Sequence, residues 1–540
     1  MEKGSIYEIL IHDMSHEGKG IGRADGIAVF VDGAVPGDRV EAEITKVKKN
    51  YAFARTMKIV EESEYRIEPV CEYSSMCGGC TYSCLDYSAQ LKFKRKQVKD
   101  KLERIGKITD AKVNEMEGMD SPFRYRNKAE FPVREDIVGF FMEKSHDVSD
   151  IPDCLLQSIP AMAAAEGLRR EGNSHIRHLV TRTAFGTGQV MVVLVADSED
   201  IDNLEDIIYS IDDRINELDD EYYYLESVYL NVRGRNDKNH MGEKFICVAG
   251  RSAIVEDTGR LQFEISPASF YQVNPVQMEK LYSKAVEYMN LTGSETVLDL
   301  YCGVGTIGLY AAGKAAKIIG IESVKDAVID ANRNAVINHI VNARYITGKA
   351  EEVLPKLIAG EYENKGIICE RADVAVIDPP RSGCAPELLD TLAQTGPDRI
   401  VYVSCDPATL ARDVRILTEK GYEFVEATPV DMFPWTSHVE TCVLLSHKSA
   451  DDFISVKMEY ADDRKIQPDR ITYRLIQEYI EEKYGFKVHT ANIAEVKRNL
   501  GLPMYDAPNA VEELKRPYKP APEYKVEAIK DALRHFKVID

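Results

Sequence analysis

The chain has 540 residues and a formal net charge of −21, and its 11 cysteines are an odd number. A chain of this length holds about three or four domains, each large enough to bury its own core. It shows no apolar stretch after a basic start and no run of about 20 apolar residues, so we expect a cytoplasmic protein without a membrane span. An odd cysteine count favours reduced thiols, metal ligands or a nucleophile over a disulfide framework.

Residues 5–60 alternate short β-rich runs with glycine turns, as at 17–22, which is typical of a small β-barrel. Towards the end of this region, cations and aromatic side chains interleave, a composition suited to contacts with a nucleic-acid backbone and its bases. An ordinary barrel surface explains each residue equally well when it is taken singly. The residues concerned are Lys46, Lys48, Lys49, Tyr51, Phe53 and Arg55.

A second basic region follows the barrel, in a segment with helical character. The net charge disfavours a polyanionic partner for the chain as a whole, yet a local stripe of cations is able to meet phosphates. A solvated helix face is the alternative explanation for any one lysine. The stripe comprises Lys92, Lys94, Arg95, Lys96, Lys99, Lys101, Arg104 and Lys107, and Arg124, Arg126 and Lys128 follow it.

Four cysteines form a pattern typical of a metal site. Cys71, Cys77 and Cys80 lie close together in the sequence, and Cys154 follows much later, directly after a proline and an aspartate. Thiolates in fours bind either zinc or an iron–sulfur cluster, and spacing alone does not choose between the two. Cys84 is a fifth cysteine nearby that is able to take the place of Cys154.

The second half of the chain carries a pattern for nucleoside cofactors. Residues 296–310 read as a strand, a turn with Gly303, Gly305 and Gly308, and the start of a helix. The next strand ends in Glu322, whose carboxylate is placed to accept hydrogen bonds from ribose hydroxyls. The pattern fits a nicotinamide cofactor as well as S-adenosylmethionine, and glycine turns are merely structural in many proteins.

Strands and helices continue to alternate, with a helix over 324–338, strands over 374–377 and 400–403, and a last strand over 441–445. This alternation predicts a doubly wound α/β sheet. Ligands of such sheets bind at the carboxyl ends of the strands. Four candidate residues sit at such ends: Tyr301, Glu322, Asp378 and Cys405.

Cys405 lies between the strand 400–403 and a helix that Asp406 is suited to cap and Pro407 to begin. The partial positive charge at a helix N-terminus stabilises a thiolate, which makes the cysteine a better nucleophile. The alternative is an inert core cysteine, the usual state of a buried thiol. The motifs around Cys405 decide in favour of the nucleophile.

Three short motifs surround this cysteine. They are 378–383 (Asp-Pro-Pro-Arg-Ser-Gly), 404–407 (Ser-Cys-Asp-Pro) and 438–440 (His-Val-Glu), and the segment 266–274 (Ser-Pro-Ala-Ser-Phe-Tyr-Gln-Val-Asn) precedes them. Together they resemble the RNA (uracil-5-)-methyltransferase family, in particular its 23S rRNA 5-methyluridine type with a TRAM domain and an iron–sulfur cluster. The resemblance covers residues 5–447.

The resemblance implies an α/β protein built from four parts. They are an OB-like RNA-binding β-barrel (TRAM) over 1–62, a central α+β iron–sulfur domain over 63–262, a Rossmann-like S-adenosylmethionine methyltransferase domain over 263–448, and a small helical C-terminal extension of unknown role over 449–540. In the extension we expect helices near 469–483, 493–500 and 526–536, and a proline-rich segment over 516–522.

The resemblance also implies a role for each site residue. Cys405 adds to carbon 6 of uracil so that carbon 5 attacks the sulfonium methyl group, and Glu440 then removes the proton from carbon 5. The other residues bind cofactors. S-adenosylmethionine is expected to contact Gln272, Tyr301, Glu322 and Asp378, and a [4Fe–4S] cluster, with zinc as the alternative, is expected at Cys71, Cys77, Cys80 and Cys154.

We therefore expect a monomeric, S-adenosylmethionine-dependent enzyme that forms 5-methyluridine in RNA, with 23S rRNA as the substrate and transfer RNA as the nearest alternative. A uridine in a loop costs least to extrude, and Phe270 and Tyr271 are candidate surfaces for stacking the flipped base. Two other interpretations remain open, a nicotinamide-dependent iron–sulfur oxidoreductase and a non-catalytic RNA-binding protein.

Overall fold

A computed structural model of the chain describes residues 1–134, 137–172, 175–218, 222–234, 240–362, 366–369, 371–448, 473–502, 521–536 and 538–539. The chain forms two compact units, one from Met1 to Asp452 and one from Phe453 to Asp540. Within the described residues, no helix is both long enough and apolar enough to cross a bilayer.

The first part of the larger unit is a closed five-stranded barrel, as the glycine turns of the sequence predict. Alternate residues of each strand point inward and fill the barrel core, among them Ile9, Val29, Val31 and Ile44. The strands are β1 (Ile6–Met14), β2 (Gly20–Ala24), β3 (Ile27–Asp32), β4 (Arg39–Val47) and β5 (Tyr51–Glu61), and they neighbour one another in the order β1-β2-β3-β5-β4.

A helix, α1 (Tyr87–Arg104), follows the barrel and begins after Asp86, whose carboxylate accepts N–H bonds of the first turn. The predicted stripe of cations lies on this helix, but it does not form one exposed face. Lys94 is fully buried, and Lys96 and Lys99 pair with carboxylates of neighbouring segments. The prediction of a phosphate-binding stripe is therefore wrong for Lys94, and the charges of Lys96 and Lys99 are already compensated.

The central part is a seven-stranded mixed sheet with two helices packed on one face, which is an α+β arrangement. The helices are α2 (Ile159–Glu171) and α3 (Leu204–Asn216). The strands are β6 (Lys128–Arg134), β7 (Ile137–Phe141), β8 (Val148–Asp150), β9 (Ile176–Thr183), β10 (Gln189–Ala196), β11 (Tyr224–Val232) and β12 (Lys244–Gly250), in the order β12-β11-β10-β9-β6-β7-β8. A hairpin of β13 (Ile254–Asp257) and β14 (Gln262–Ile265) leads to the third part.

The third part is a second seven-stranded sheet with an apolar cluster on each side, which confirms the predicted doubly wound α/β fold. The strands are β15 (Thr296–Leu300), β16 (Lys317–Glu322), β17 (Ala343–Thr347), β18 (Val374–Ile377), β19 (Arg399–Ser404), β20 (Tyr422–Val430) and β21 (Glu440–His447), in the order β17-β16-β15-β18-β19-β21-β20. Successive strands are added on one side of β15 up to β17 and on its other side from β18 onwards, and a ligand cleft is expected at the carboxyl ends of β15 and β18, where this order switches.

Among its described residues, the third part has six helices, which cover both faces of its sheet. They are α4 (Pro275–Met289), α5 (Thr306–Ala312), α6 (Lys325–Ile337), α7 (Ala350–Ile358), α8 (Pro386–Thr395) and α9 (Pro407–Glu419). The strands β15 to β19 are parallel, while β21 runs antiparallel to its neighbours β19 and β20. The chain therefore returns through β21 with Glu440 at the end of the sheet where β19 leaves for α9.

The smaller unit contains the helices α10 (Tyr473–Tyr484), α11 (Thr490–Asn499) and α12 (Glu523–His535). They share an apolar core that includes Ile480 and Ile529. The three helices predicted for the extension are confirmed, with ends displaced by a few residues. Of the predicted proline-rich segment 516–522, residues 516–520 lie outside the described residues.

Candidate active site

The carboxyl ends of the strands β15, β16, β18 and β19 open into a cavity of about 540 Å³. Its wall combines apolar side chains with carboxylates, a composition suited to an organic ligand that carries positive charge. All six residues that the sequence predicts for cofactor binding and catalysis lie in this wall. They are Gln272, Tyr301, Glu322, Asp378, Cys405 and Glu440.

This cavity is the larger of two that border Cys405, and the turn after β15 shapes one side of it. Tyr301, the first residue after the strand, has a φ of 61°, a left-handed conformation that is costly for tyrosine and is often found at functional sites. The Gly303 N–H donates to Glu322 Oε2 at 3.1 Å, and the Val324 N–H donates to Glu322 Oε1 at 2.8 Å. These bonds hold the Glu322 carboxylate at the cavity and leave lone pairs for further donors.

The segment that contains Gln272 is held by the central part of the protein. The Asn127 Nδ2 donates to the Gln272 carbonyl at 3.0 Å, and the Asn127 N–H donates to the Val273 carbonyl at 2.9 Å. Phe270 is 67% exposed and lines the larger cavity, whereas Tyr271 is 3% exposed and packs in the core. Phe270 remains a candidate for base stacking, but the same prediction for Tyr271 is wrong.

Asp378 follows β18 and begins the Asp-Pro-Pro-Arg loop. Its N–H donates to the Leu300 carbonyl at 3.2 Å, so the loop starts beside the end of β15. Burial raises the pKa of Asp378 to about 7. Arg381, at the end of the same motif, also lines the larger cavity. The two prolines before Arg381 restrict the backbone of the loop and so fix the direction of this side chain. The sequence motifs alone assigned it no role.

Cys405 sits between β19 and α9, as predicted. The Asp406 carboxylate accepts hydrogen bonds from the N–H groups of Ala408 at 2.8 Å and Thr409 at 2.9 Å. Asp406 is therefore the N-cap of α9, and Pro407 is its first residue. The predicted local structure around the thiol is confirmed.

The charge state of Cys405 differs from the expectation. Burial, followed by the carboxylates of Glu440 and Asp378, raises the pKa of Cys405 to about 11, while Arg381 opposes this. Burial, followed by Asp378, raises the pKa of Glu440 to about 8, and Arg381 again opposes it. The expected stabilisation of a thiolate by the helix is outweighed, because low polarity and nearby negative charge both favour the neutral thiol.

A second, smaller cavity of about 300 Å³ lies on the other side of Cys405. It shares Arg381, Cys405 and His438 with the larger cavity, and His16 of the barrel and Lys101 of α1 line its far side. Cys405 is thus at the junction of two cavities. The sequence carried no signal for His16, which reaches this place only because the barrel is folded against the catalytic part.

The four cysteines that were predicted to hold a metal group come together in the fold. Burial, followed by the neighbouring thiols of Cys154, Cys77 and Cys71, raises the pKa of Cys80 to about 12. Cys84 is not among the groups that act on Cys80. It packs against a different apolar cluster, beside the barrel, whereas Cys80 and Cys154 pack against the same one. Cys84 nevertheless lines one cavity together with Cys77 and Cys80.

The spacing of these thiols bears on the group that they fit. A tetrahedral zinc ion with bonds of about 2.3 Å places its sulfur ligands about 3.8 Å from one another. In the part of the chain that the structure describes, no three of the cysteine sulfurs lie within 4.8 Å of one another. No three of these thiols are therefore close enough to bind one zinc ion without moving.

Comparisons with known proteins agree with this geometry. The family model described as tRNA (Uracil-5-)-methyltransferase matches residues 187–448, and the TRAM domain model matches residues 1–57. An RNA methyltransferase of Caldanaerobacter subterraneus subsp. tengcongensis is 45% identical over 459 residues, which are 82% of this chain and 98% of the relative. Another, of Halalkalibacterium halodurans, is 41% identical over 466 residues, 83% of this chain and 98% of the relative.

A solved structure gives the same result. The crystal structure of Pyrococcus abyssi tRNA (uracil-54, C5)-methyltransferase in complex with S-adenosyl-L-homocysteine matches with a TM-score of 0.63 and 28% identity, covering 81% of this chain and 100% of that one. These matches set aside the nicotinamide-dependent oxidoreductase. The chain belongs to the RNA (uracil-5-)-methyltransferase family, which uses S-adenosylmethionine as methyl donor, and its N-terminal barrel is a TRAM domain.

Proposed function

We propose that the protein forms 5-methyluridine in 23S rRNA, with Cys405 as the nucleophile and Glu440 as the general base. One observation supports this above all: Cys405 lines both the larger cavity and the smaller cavity beside the barrel. A nucleophile at such a junction reaches a base that enters from one side while the methyl donor occupies the other.

The wall of the larger cavity carries hydrogen-bonding groups of the kind that S-adenosylmethionine needs. The carboxylates of Glu322 and Asp378 are suited to accept hydrogen bonds from ribose hydroxyls and amino groups, and Gln272 and Tyr301 complete the wall. When bound there, S-adenosylmethionine supplies a methyl group on a positively charged sulfur. Negative charge in the wall favours such a cation, so the residues present fit the ligand.

Cys405 activates the uracil ring. Its thiol releases the proton to solvent, and the thiolate forms a bond to carbon 6 while the double-bond electrons move towards the carbonyl oxygen at carbon 4. Carbon 5 is then nucleophilic and takes the methyl group, and the donor sulfur keeps the electron pair of the broken bond. The positive charge of Arg381 lowers the pKa of Cys405 against the effect of burial, which assists the first step.

Glu440 completes the reaction. Methylated carbon 5 still carries its hydrogen, and Glu440 removes it as a proton. The electrons of that bond restore the ring double bond, and the bond between carbon 6 and sulfur breaks to return the thiolate. A pKa of about 8 means that the Glu440 carboxylate forms at mildly alkaline pH, and it is then a stronger base than an ordinary carboxylate. The balance needs neither oxidant nor reductant.

Two RNA substrates are candidates. The combination of a TRAM domain with four clustered cysteines resembles the 23S rRNA type of the family, and this resemblance supports ribosomal RNA. Transfer RNA is the second candidate, because the Pyrococcus abyssi relative is described as acting on it. Either RNA must present an extruded uridine, and extrusion costs a few kcal/mol, least for an unpaired base.

We also propose that Cys71, Cys77, Cys80 and Cys154 hold a [4Fe–4S] cluster with a structural role. Cys80 and Cys154 pack against the apolar cluster that contains the buried Trp435, and the Tyr82 N–H donates to the Trp435 carbonyl at 3.0 Å. Trp435 belongs to the 431–439 loop, which leads directly to Glu440. Loss of the cluster should therefore disturb this loop more than it disturbs the cofactor wall.

The nucleophile is tested with RNA that contains 5-fluorouridine, because the fluorine on carbon 5 does not leave as a cation and the adduct persists. We expect the wild type to form a covalent protein–RNA complex that survives denaturing electrophoresis. The Cys405→Ala variant should form none, and Cys247→Ser, which changes an exposed cysteine, should behave like the wild type. A persistent adduct in Cys405→Ala would refute the assignment.

The target is tested by offering 23S rRNA and transfer RNA, both free of modification, with labelled S-adenosylmethionine. Label in 23S rRNA that digestion identifies as 5-methyluridine supports the proposal. Label in transfer RNA alone would replace the substrate and leave the chemistry of Cys405 and Glu440 in place.

The cluster is tested by iron and sulfide analysis and visible absorption of protein prepared without oxygen. We expect four irons for each chain, as the proposed cluster requires. Cys80→Ser should lose the iron and Cys84→Ser should keep it. Equal iron content in the two variants, or stoichiometric zinc in the wild type, would contradict the proposed ligand set.

A further inference from the structure

Three potential metal ligands meet in the central part, outside the site described above. They are Glu130 on β6, His178 on β9 and His240 ahead of β12. One ligand atom of each lies within 4.8 Å of the other two. The His240 Nδ1 is 3.5 Å from Glu130 Oε1. The reaction proposed for the cavity gives no role to any of the three.

The register of the central sheet places two of these ligands side by side. β6 and β9 are antiparallel neighbours, with Pro132 opposite His178 and Glu130 opposite Val180. Residues that lie directly opposite each other point to the same face of a sheet. Glu130 and His178 are therefore diagonal neighbours on one face of the sheet. The strands that carry them, β6 and β9, each have a paired strand on both sides.

The loop with His240 is held against the same sheet by Asn231 of β11. The Asn231 Nδ2 donates to the Gly242 carbonyl at 3.0 Å, and its Oδ1 accepts the Gly242 N–H at 2.7 Å. A Cβ on Gly242 would lie 2.0 Å from the Val232 carbonyl oxygen, so only glycine permits this close approach. The position of His240 therefore depends on the contacts of Gly242, two residues later in the chain.

Two polar atoms of the group are buried and have no hydrogen-bond partner among the residues that the structure describes. They are Glu130 Oε1 and His178 Nδ1, and the His178 residue is only 3% exposed. A buried polar atom without a partner destabilises a folded protein, and such atoms are uncommon. An ion bound at the group would satisfy them.

We propose that Glu130, His178 and His240 bind one divalent transition-metal ion, with Zn²⁺ as the best fit, and that the ion ties the loop before β12 to the sheet. Two imidazoles and a carboxylate suit zinc and its first-row neighbours, whereas Mg²⁺ and Ca²⁺ prefer oxygen ligands. Tetrahedral zinc holds nitrogen and oxygen ligands about 3.3 Å apart. The 3.5 Å between His240 and Glu130 is close to this value.

Nearby charges set the expected strength of binding. Burial, followed by His240 and the guanidinium groups of Arg134 and Arg233, lowers the pKa of His178 to about 4. The imidazole is therefore neutral, which is the form that coordinates a metal. The same guanidinium groups repel a cation, so we expect micromolar rather than nanomolar affinity.

Co²⁺ is the probe, because its visible absorption reports the ligands that it has. Full-length protein with its cysteine site filled is titrated with Co²⁺ and then with Zn²⁺ as competitor. We expect one Co²⁺ for each chain with visible bands of nitrogen and oxygen coordination, without the intense near-ultraviolet band of thiolate ligands, and full displacement by Zn²⁺.

The variants His240→Gln and His178→Gln should each weaken Co²⁺ binding by at least about tenfold. His12→Gln, which changes an exposed histidine of the barrel, should bind like the wild type. His240 is exposed, so its variant should fold even if His178→Gln does not, and circular dichroism checks this. No binding by the wild type, thiolate bands, or unchanged binding by His240→Gln would overturn the proposal.

Discussion

Lys94 of α1 and Asp431, the first residue after β20, form a fully buried ion pair in which Nζ donates to Oδ1 at 2.6 Å. Lys94 also donates to the Phe433 carbonyl at 3.0 Å, and the Tyr87 hydroxyl donates to Asp431 Oδ2 at 2.9 Å. Buried charges are tolerated only when such partners surround them. The pair therefore fastens the start of the 431–439 loop, which leads to Glu440, to the helix behind the barrel.

Replacement of Lys94 by alanine should leave the Asp431 carboxylate buried without a cation. We expect the free energy of unfolding to fall by about 3–5 kcal/mol, as for other buried pairs that lose one partner. Urea denaturation measures the loss. Lys92→Ala is the control, because Lys92 contacts the Tyr65 hydroxyl at the surface and should matter by less than about 1 kcal/mol. A Lys94→Ala protein as stable as the control would refute the structural role of the pair.

The rate of methylation should rise with pH. Cys405 with a pKa of about 11 and Glu440 with a pKa of about 8 both act in their deprotonated forms, and both are neutral at rest near pH 7. We expect kcat/KM to increase about fifty-fold between about pH 7 and about pH 8, where both deprotonated fractions rise, and then about tenfold for each pH unit, since above pH 8 only Cys405 still titrates. A flat profile in single-turnover assays would contradict this view of the resting site.

Arg381 should set the position of that profile. Its charge lowers the pKa of both Cys405 and Glu440, so Arg381→Gln should raise both values and move the profile towards alkaline pH. We expect about a tenfold loss of kcat/KM near pH 7, with partial recovery near pH 9. Arg381→Lys keeps the charge and should shift the profile less. An equal loss at every pH would instead indicate a role in binding alone.

Glu440 should make the cofactor-free protein less stable as pH rises. In the folded protein it keeps its proton up to about pH 8, while in the unfolded chain it loses the proton near pH 4.5, so the folded state is favoured most below this window. The Glu440→Gln variant does not ionise. We expect its Tm to exceed that of the wild type by about 5 °C near pH 8 and to match it near pH 4. Equal differences at both pH values would disprove the raised pKa.

Asn127 should position Gln272 for the methyl donor. Its side chain and its N–H hold two successive carbonyl groups, those of Gln272 and Val273, from the central part of the protein. Asn127→Ala removes the first bond and should raise the Kd for S-adenosylmethionine about three- to tenfold, the worth of one ordinary hydrogen bond. Calorimetry measures it. Unchanged affinity would show that the Gln272 carbonyl needs no such support.

The elements around the site could be predicted because their signals are local. The strand predicted at 374–377 is β18 without displacement, and the helix predicted at 324–338 differs from α6 by one residue at each end. Apolar runs, glycine turns and capping residues are readable within a short window. Glu322 and Asp378 then meet because parallel strands present their carboxyl ends on one side of a sheet.

Other features depend on contacts between distant segments. Lys94 looks like one more surface lysine, and its partner Asp431 is 337 positions away in the chain. His16 likewise has no pattern that points to Cys405. The pKa of Cys405 could not be predicted either. The capped helix beside it suggests a lowered value, and only the folded cavity reveals the burial and the two carboxylates that raise it.

The shared wall of Arg381, Cys405 and His438 has a kinetic consequence. In the proposed reaction the methyl donor occupies the larger cavity and the uridine approaches Cys405 from the smaller one, so neither reactant needs to cross the site of the other. We therefore expect the two to bind in random order, and we expect spent donor to be exchanged while the polynucleotide stays attached.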